Sequence, residues 1–200
     1  MPEKIIHFPA ERLTLEGLLH RADGERGVVI THPHPLYGGD MYNPVVETLS
    51  RAYQEAGYST LRFNFRGVGG SGGGYGGGQD ERADVAAALD YLRDQGKTVL
   101  DLAGYSFGAW VSAQVEWDGG LQRMILVSPP VGFAEFRDFP NLPELKGVLT
   151  GSSDPIAPAK LLEKQVPQWN PSARLVVIDG ADHFFSGTLG DLYTGLVGLL

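Results

Sequence analysis

Three side chains that could together perform nucleophilic catalysis follow strand-like segments in the order serine, acid, histidine. The serine is Ser106, at the centre of the Gly-Tyr-Ser-Phe-Gly motif Gly104–Gly108, directly after the apolar run Thr98–Ala103. A glycine-flanked serine on a sharp strand-to-helix turn exposes its hydroxyl for attack, and glycine allows the close backbone approach of such a turn. The competing interpretation is that Ser106 only caps the next helix.

Asp154 and His183 are the candidate partners of this serine. Asp154 follows the strand-like segment Gly147–Thr150, and His183 follows Arg174–Ile178. A serine nucleophile needs a histidine base and a carboxylate that orients the ring and stabilises its charged form. Asp154 could instead cap a helix, and His183 could be an exposed loop residue. Their order along the chain favours the catalytic interpretation.

Two other carboxylates, Asp179 and Asp182, are alternatives for the acid. Both stand within four residues of His183 in the sequence. Folding either one back onto the imidazole ring would strain the loop, so we predict Asp154 as the acid.

Serine catalysis also needs N–H donors for the oxyanion of a tetrahedral intermediate. The residue after the nucleophile, Phe107, supplies one, and the loop Thr31–Asp40 is expected to supply the other. The two prolines of this loop have no N–H. The remaining candidates are the backbone N–H groups of His34, Leu36 and Tyr37, of which we favour Leu36.

Strand-like and helix-like segments alternate along the chain, which predicts a mostly parallel, twisted sheet with helices on both faces. The first two strands are expected to join at a turn at Pro9-Ala10. The predicted strands are Lys4–Phe8, Arg12–His20, Gly27–Thr31, Tyr58–Phe65, Thr98–Ala103, Arg123–Val127, Gly147–Thr150 and Arg174–Ile178. The predicted helices are Asn43–Glu55, Asp80–Asp94, one from Ser106 to about Glu116, Pro158–Gln165 and Gly187–Leu200.

Composition narrows the class of protein. The chain has 200 residues, 42% of them hydrophobic, which suits one domain spanning residues 1–200. A net charge of -8 argues against nucleic acid and anionic membranes as partners. Cysteine is absent, so disulfides and a thiol nucleophile are excluded. No signal-peptide pattern or long apolar segment is evident, and we expect a cytoplasmic protein.

Two further motifs have alternative interpretations. His32 and His34 have an H-x-H spacing, but no third metal ligand is evident nearby, so we expect no metal site. Gly67–Gly78 contains a match to the dinucleotide fingerprint, but the next helix begins near Asp80, too late to meet a pyrophosphate. We expect a flexible loop at the rim of the site, with Ser71 incidental.

These motifs together resemble the α/β-hydrolase superfamily. More narrowly, it looks like the small bacterial hydrolases related to dienelactone hydrolase that carry a His-Pro-His-Pro-x-x-Gly-Gly loop, here His32–Gly39. Further matches are Arg62–Gly69, Gly104–Gly108, Gly151–Asp154 and Asp182–Phe185. The resemblance implies a single α/β-hydrolase domain, a Ser106–Asp154–His183 triad, an acyl-enzyme intermediate and no cofactor.

The segment between Arg123–Val127 and Gly147–Thr150 is too short for a cap domain, which predicts an open, shallow site. We expect hydrolysis of small or short-chain esters or thioesters. The alternatives are a cofactor-free haloperoxidase or perhydrolase with the same triad, and a non-catalytic binding protein on the same fold. Phe133 and Phe136 could line an acyl pocket or only cover the core. The residues expected to contact the substrate are His34, Tyr37, Phe133 and Phe136.

Overall fold

Apolar residues occupy both faces of the central strands, as a sheet covered by helices on both sides requires. The computed structural model describes residues 2–133 and 141–200, which form one eight-stranded sheet. The strands are β1 (Lys4–Ala10), β2 (Leu13–His20), β3 (Arg26–Thr31), β4 (Ser59–Phe63), β5 (Val99–Tyr105), β6 (Arg123–Val127), β7 (Leu145–Gly151) and β8 (Arg174–Ile178). The helices of the described residues are α1 (Pro44–Glu55), α2 (Glu81–Asp94), α3 (Phe107–Ser112), α4 (Ala159–Trp169) and α5 (Leu189–Val197).

The strand order is β1-β2-β4-β3-β5-β6-β7-β8. β1 pairs with β2 and β2 with β4 in antiparallel fashion, whereas every other pair is parallel. The carboxyl ends of β3, β5, β7 and β8 therefore meet at one edge of the sheet. In open α/β sheets, ligands bind outside this edge. The predicted fold class, an α/β-hydrolase fold with a mostly parallel sheet, is confirmed.

Two hydrophobic clusters lie on opposite faces of the sheet. On one face α1 packs over β3 and α5 packs over β7 and β8, and Val28 and Ile30 of β3 belong to this cluster. On the other face α2, α3 and α4 cover the alternate residues of the strands, among them Val29. This alternation follows from the two-residue period of a strand. Within the described residues, no helix is long and apolar enough to cross a membrane.

Several predicted boundaries were wrong by a few residues, for reasons visible in the packing. Ala10 still pairs with Leu13, so the first turn lies at Glu11 and Arg12, not at Pro9-Ala10. The helix after Ser106 ends at Ser112, well before Glu116.

The strand predicted to run to Phe65 ends at Phe63. The Asn64 N–H still donates to the Glu16 carbonyl of β2, but the Phe65 N–H leaves the sheet and donates to the ring of His32. Helix α4 continues through Pro167 to Trp169, whose side chain is buried.

Candidate active site

Ser106 lies on a strained turn between β5 and α3. Its backbone has φ 53° and ψ -118°, a conformation that residues other than glycine rarely adopt. The turn brings the chain against the end of β3. A Cβ on Gly104 would lie 2.7 Å from Thr31 Oγ1, and one on Gly108 would lie 2.6 Å from the His32 carbonyl oxygen. Both flanking glycines are therefore required by close packing of the two segments.

The structure brings Ser106, His183 and Asp154 together although they are far apart in the sequence. Ser106 Oγ lies 2.9 Å from His183 Nε2, and His183 Nδ1 lies 2.8 Å from Asp154 Oδ2. All three residues are largely buried, with 8% of Ser106 exposed. With Nδ1–H donating to the carboxylate, Nε2 is left as an acceptor for the serine hydroxyl proton. This arrangement can deprotonate Ser106 during attack on an electrophile.

The loops that carry the acid and the histidine are held side by side. A Cβ on Gly151 would lie 2.1 Å from the Ala181 carbonyl oxygen, so the end of β7 touches the loop after β8. Ser153 N–H donates to the same carbonyl oxygen over 2.9 Å. Tyr105 O–H donates to the His183 carbonyl oxygen over 2.9 Å and fixes the backbone of the histidine. No motif in the sequence indicates this role for Tyr105.

Asp154 is held in its charged form. Burial by itself would raise its pKa, but the interactions with His183 and the backbone hydrogen bond from Ala157 act in the opposite direction, and the net effect lowers the pKa. Its second oxygen, Oδ1, accepts the backbone N–H groups of Ile156 and Ala157, each over 2.8 Å. The acid therefore also caps the turn that follows it, so the two interpretations of this residue are compatible.

The two alternative acids point elsewhere. Asp182 Oδ1 accepts the backbone N–H of Ser186 over 2.9 Å. Asp179 Oδ1 lies 3.4 Å from Ser152 Oγ. Of the three aspartates considered, Asp154 is the one whose carboxylate contacts the imidazole of His183.

The loop after β3 contains a short 3-10 turn, Pro35–Tyr37, beside Ser106. The Leu36 N–H, which we favoured as an oxyanion donor, instead donates to His34 Nδ1 over 3.2 Å. The Tyr37 N–H donates to the His34 carbonyl oxygen over 3.1 Å. Of the three candidates, His34 alone has a backbone N–H with no acceptor among the described residues. The structure therefore does not support Leu36, because its N–H is already engaged in the turn.

His32 joins this loop to the end of β4. Its Nδ1 lies 2.6 Å from the Pro33 carbonyl oxygen, and its Nε2 accepts the Phe65 N–H over 3.0 Å. Burial lowers the pKa of His32 to about 4, so the ring is neutral at neutral pH and Nδ1 carries the proton. Because the Pro33 carbonyl and the His34 N–H belong to one peptide group, His32 orients the N–H that lacks an acceptor.

His34 contributes its ring as well as its backbone. Nδ1 accepts the Leu36 N–H, which leaves Nε2 to donate to the Tyr75 hydroxyl oxygen over 3.1 Å. Partial burial lowers the pKa of His34, against an opposing effect of Glu81. Both nitrogens of each histidine in the H-x-H pair are thus engaged within the protein.

A cavity with two lobes opens at Ser106. The first, which we call the histidine lobe, has a volume of about 330 Å³ and is bounded by Asn43, Tyr105, His183 and Phe184. The second, the aromatic lobe, has a volume of about 340 Å³. It is bounded by Tyr75, Phe107, Trp110, Pro130 and Phe133, and both lobes reach Ser106, His34, Tyr37 and Ile156.

Most of the predicted substrate contacts border these lobes. His34 and Tyr37 line both lobes and Phe133 lines the aromatic lobe, whereas Leu36 lines neither. Phe136 lies outside the described residues. Tyr75 and Trp110 were missed, because Tyr75 stands in a glycine run and Trp110 on a helix, where an aromatic residue ordinarily indicates core packing.

The glycine-rich segment is pinned to the core, contrary to the expectation of a flexible loop. The buried carboxylate of Glu81 accepts the N–H groups of Gly76 and Gly78, each over 2.7 Å. Ser71, expected to be incidental, accepts the Glu16 N–H and donates to the Asn64 carbonyl oxygen. A run of glycines in the sequence does not indicate hydrogen bonds of this kind.

Comparisons with known proteins agree with this architecture. Residues 28–148 match the model of the alpha/beta hydrolase family. An uncharacterized protein of Rickettsia prowazekii is 35% identical over 198 residues, covering 92% of this chain and 82% of its own length.

Two solved structures are also close. A structure of an alpha-beta serine hydrolase homologue from Coxiella burnetii is 36% identical, covers 100% of this chain and 98% of its own, and superposes with a TM-score of 0.91. A lidless alpha/beta serine hydrolase from Xanthomonas campestris is 29% identical, with a TM-score of 0.88, over 98% of this chain and 92% of its own.

The chain therefore belongs to the alpha/beta hydrolase family. The family match and its similarity to serine hydrolases identify it as a hydrolase. The superfamily prediction from the sequence is confirmed at this level.

Proposed function

We propose that the protein is a serine hydrolase that cleaves small or short-chain carboxylic esters or thioesters. The observation that carries the proposal is the hydrogen-bonded series from Ser106 to His183 to Asp154, at the mouth of a cavity. A buried carboxylate, an imidazole in a defined tautomer and a serine on a strained turn are the parts that acyl transfer needs.

The mechanism has two acyl-transfer steps. Ser106 Oγ attacks the carbonyl carbon while its proton passes to His183 Nε2, and Asp154 stabilises the imidazolium. The bond from carbon to the leaving oxygen or sulfur then breaks, and His183 returns the proton to the leaving group. Water, deprotonated by His183, attacks the acyl-enzyme and releases the acid, and Ser106 recovers its proton.

The oxyanion formed in each step needs two N–H donors. The Phe107 N–H begins α3 and has no acceptor among the described residues, and the same holds for the His34 N–H. Both belong to residues that border Ser106 in the cavity. We assign the second donor to His34 in place of Leu36, because donors of an oxyanion hole must be free in the resting enzyme.

The proposal is tested with p-nitrophenyl esters from acetate to decanoate, comparing the wild type with Ser106→Ala. We expect the wild type to prefer short acyl chains and the variant to lose at least about 10³-fold in kcat. Circular dichroism controls for folding of the variant. A fluorophosphonate probe with mass spectrometry reports separately whether Ser106 is an activated nucleophile.

The outcomes separate the candidate functions. Labelling of Ser106 together with ester turnover supports the proposal. Labelling without turnover of any ester or thioester contradicts it, and peroxide-dependent halogenation would then favour the haloperoxidase alternative. Absence of both labelling and turnover in a folded wild type contradicts catalysis by Ser106.

A further inference from the structure

The two lobes at Ser106 are suited to different halves of an ester. His183 must protonate the leaving oxygen, and it borders the histidine lobe but not the aromatic lobe. The alcohol half of a substrate therefore lies in the histidine lobe. The acyl half, on the other side of the carbonyl carbon, is directed into the aromatic lobe, which Phe107 and Trp110 border.

Aromatic rings form a continuous wall in this second lobe. The Phe107 ring lies 5.7 Å from that of Trp110 and 5.9 Å from that of Tyr75, measured between ring centroids. His34 lies 5.1 Å from Tyr75 and 4.8 Å from Phe107. The four pairs are tilted, with interplanar angles between 40° and 54°. Their centroid separations lie in the range of attractive aromatic pairs, so a further flat ring can add to the series.

The backbone is arranged to hold two of these rings in place. A Cβ on Gly78 would lie 1.9 Å from Trp110 Cζ3, so the indole lies directly against the bare backbone of the glycine-rich segment. Glu81 fixes that segment by accepting the Gly78 N–H over 2.7 Å. The Tyr75 hydroxyl is fixed in turn by its hydrogen bond with His34. The aromatic wall is therefore preorganised.

The charge and the size of the aromatic lobe further restrict the acyl groups that it can hold. The described residues that border the aromatic lobe include no aspartate, glutamate, lysine or arginine. Among these described residues, an acyl group with a second carboxylate would find no cation. A cavity of about 150 Å³ accommodates benzene, so the lobe of about 340 Å³ has room for a phenyl ring and a short linker to the carbonyl.

We propose that the aromatic lobe is an acyl subsite for flat, uncharged arylalkanoyl groups of the 3-phenylpropanoyl type. This proposal rests on the proposed ester hydrolysis and names its acyl specificity. Trp110 is the specificity-determining residue, because it borders only this lobe and presents the largest ring.

The test compares methyl 3-phenylpropanoate with methyl 3-cyclohexylpropanoate, which has a saturated ring of similar size, in a pH-stat. The ratio of the two kcat/KM values is independent of the fraction of active enzyme. We expect the wild type to prefer the phenyl ester about fivefold, the effect of one aromatic contact. Trp110→Leu should reduce the ratio to near one. Trp117→Leu is the matched control, since Trp117 borders neither lobe and donates its indole N–H to Asp90.

Binding to Ser106→Ala, measured by calorimetry with the same two esters, makes the test independent of turnover. Phenyl preference in the wild type and in Trp117→Leu, lost in Trp110→Leu, supports the subsite. Equal rates for the two esters, or a preference that survives in Trp110→Leu, overturn it. If no ester is hydrolysed but the phenyl compound binds selectively, ester hydrolysis fails while the aromatic subsite stands. If neither turnover nor selective binding is seen, both proposals are overturned.

Discussion

His32 links the pH dependence of stability to the geometry of the candidate oxyanion hole. Its ring is fully buried between the Pro33 carbonyl and the Phe65 N–H, and each contact uses one nitrogen. Protonation of the ring would turn Nε2, which accepts the Phe65 N–H, into a second donor that faces this N–H. The neutral form is therefore part of the native structure, and His32 acts as a positioning residue for the His34 peptide.

The free energy of unfolding should fall as the pH drops from about 6.5 to about 4. Burial lowers the pKa of His32 to about 4 from the model-peptide value of 6.5, so the unfolded chain takes up a proton here before the native protein does. The pKa difference corresponds to about 3 kcal/mol. Urea titrations at pH 7 and pH 4.5 measure this change, and the free energy of unfolding should fall less in His32→Gln than in the wild type. His7→Gln, at an exposed histidine, is the control, and an unchanged fall in His32→Gln would contradict the assignment.

Removing the His32 ring should impair the chemical step more than substrate binding. In His32→Ala the Pro33 carbonyl loses its donor, so the His34 N–H is no longer held toward the oxyanion. We expect kcat for p-nitrophenyl acetate to fall about 10²-fold, the effect of one oxyanion donor, with KM little changed. Partial recovery in His32→Gln would support a positioning role. A rise in KM with constant kcat would argue for a substrate contact instead.

At the scale of elements, the start of α2 organises the glycine-rich segment. Glu81 and Asp84 are buried on the first turn of α2 and point back toward the segment that precedes it. Glu81 accepts the N–H groups of Gly76 and Gly78 in this segment. Asp84 accepts the Arg66 N–H and forms an ion pair with the Arg66 guanidinium at 2.7 Å. Helix, glycine segment and the wall of the aromatic lobe therefore form one hydrogen-bonded unit.

Glu81→Ala should lower the free energy of unfolding by about 2–4 kcal/mol, because it leaves two backbone N–H groups without their acceptor. Glu81→Gln should lower the free energy of unfolding less, since its amide oxygen can still accept one of the two N–H groups. Glu163→Ala, at an exposed position on α4, should change stability by no more than about 0.5 kcal/mol. Urea denaturation followed by circular dichroism measures all three. Equal stability of Glu81→Ala and the wild type would show that the segment is not held by this carboxylate.

At the scale of the whole molecule, the candidate site depends on most of the sheet. The loop after β3, the turn after β5 and the loops after β7 and β8 each contribute a group, and they converge because parallel strands end at one edge. The three central side chains are largely buried, so they are tied to the same packing as the core.

Inactivation and global unfolding should therefore coincide. In a urea titration, loss of fluorophosphonate labelling at Ser106 should follow the same curve as loss of far-UV circular dichroism, as expected for a cooperative transition. Tryptophan fluorescence gives a third independent curve. If labelling is lost at clearly lower urea, the site opens locally before the sheet does, and this expectation is wrong.

Local spacing along the chain alone determined a large part of the fold and of the candidate site. The periodicity of apolar residues predicted the alternation of strands and helices, and with the motifs it indicated the superfamily, which the comparisons confirm. The order Ser106, Asp154, His183 predicted residues that the structure brings into hydrogen-bond contact, and their catalytic role stays a prediction until it is measured. Such features are readable because turn chemistry and strand order act over short segments.

Only the tertiary structure decided which backbone groups and side chains already have partners within the protein. Leu36 was favoured as a donor because its N–H is available in the sequence, but the fold pairs it with the His34 ring. Gly67–Gly78 was expected to be flexible because glycine permits many conformations, but Glu81 and Ser71 pin it. Tyr75 and Trp110 meet beside Ser106 although neither stands in a recognisable motif. Hydrogen bonds and ring contacts between distant segments depend on where the fold places them, and no local pattern records that placement.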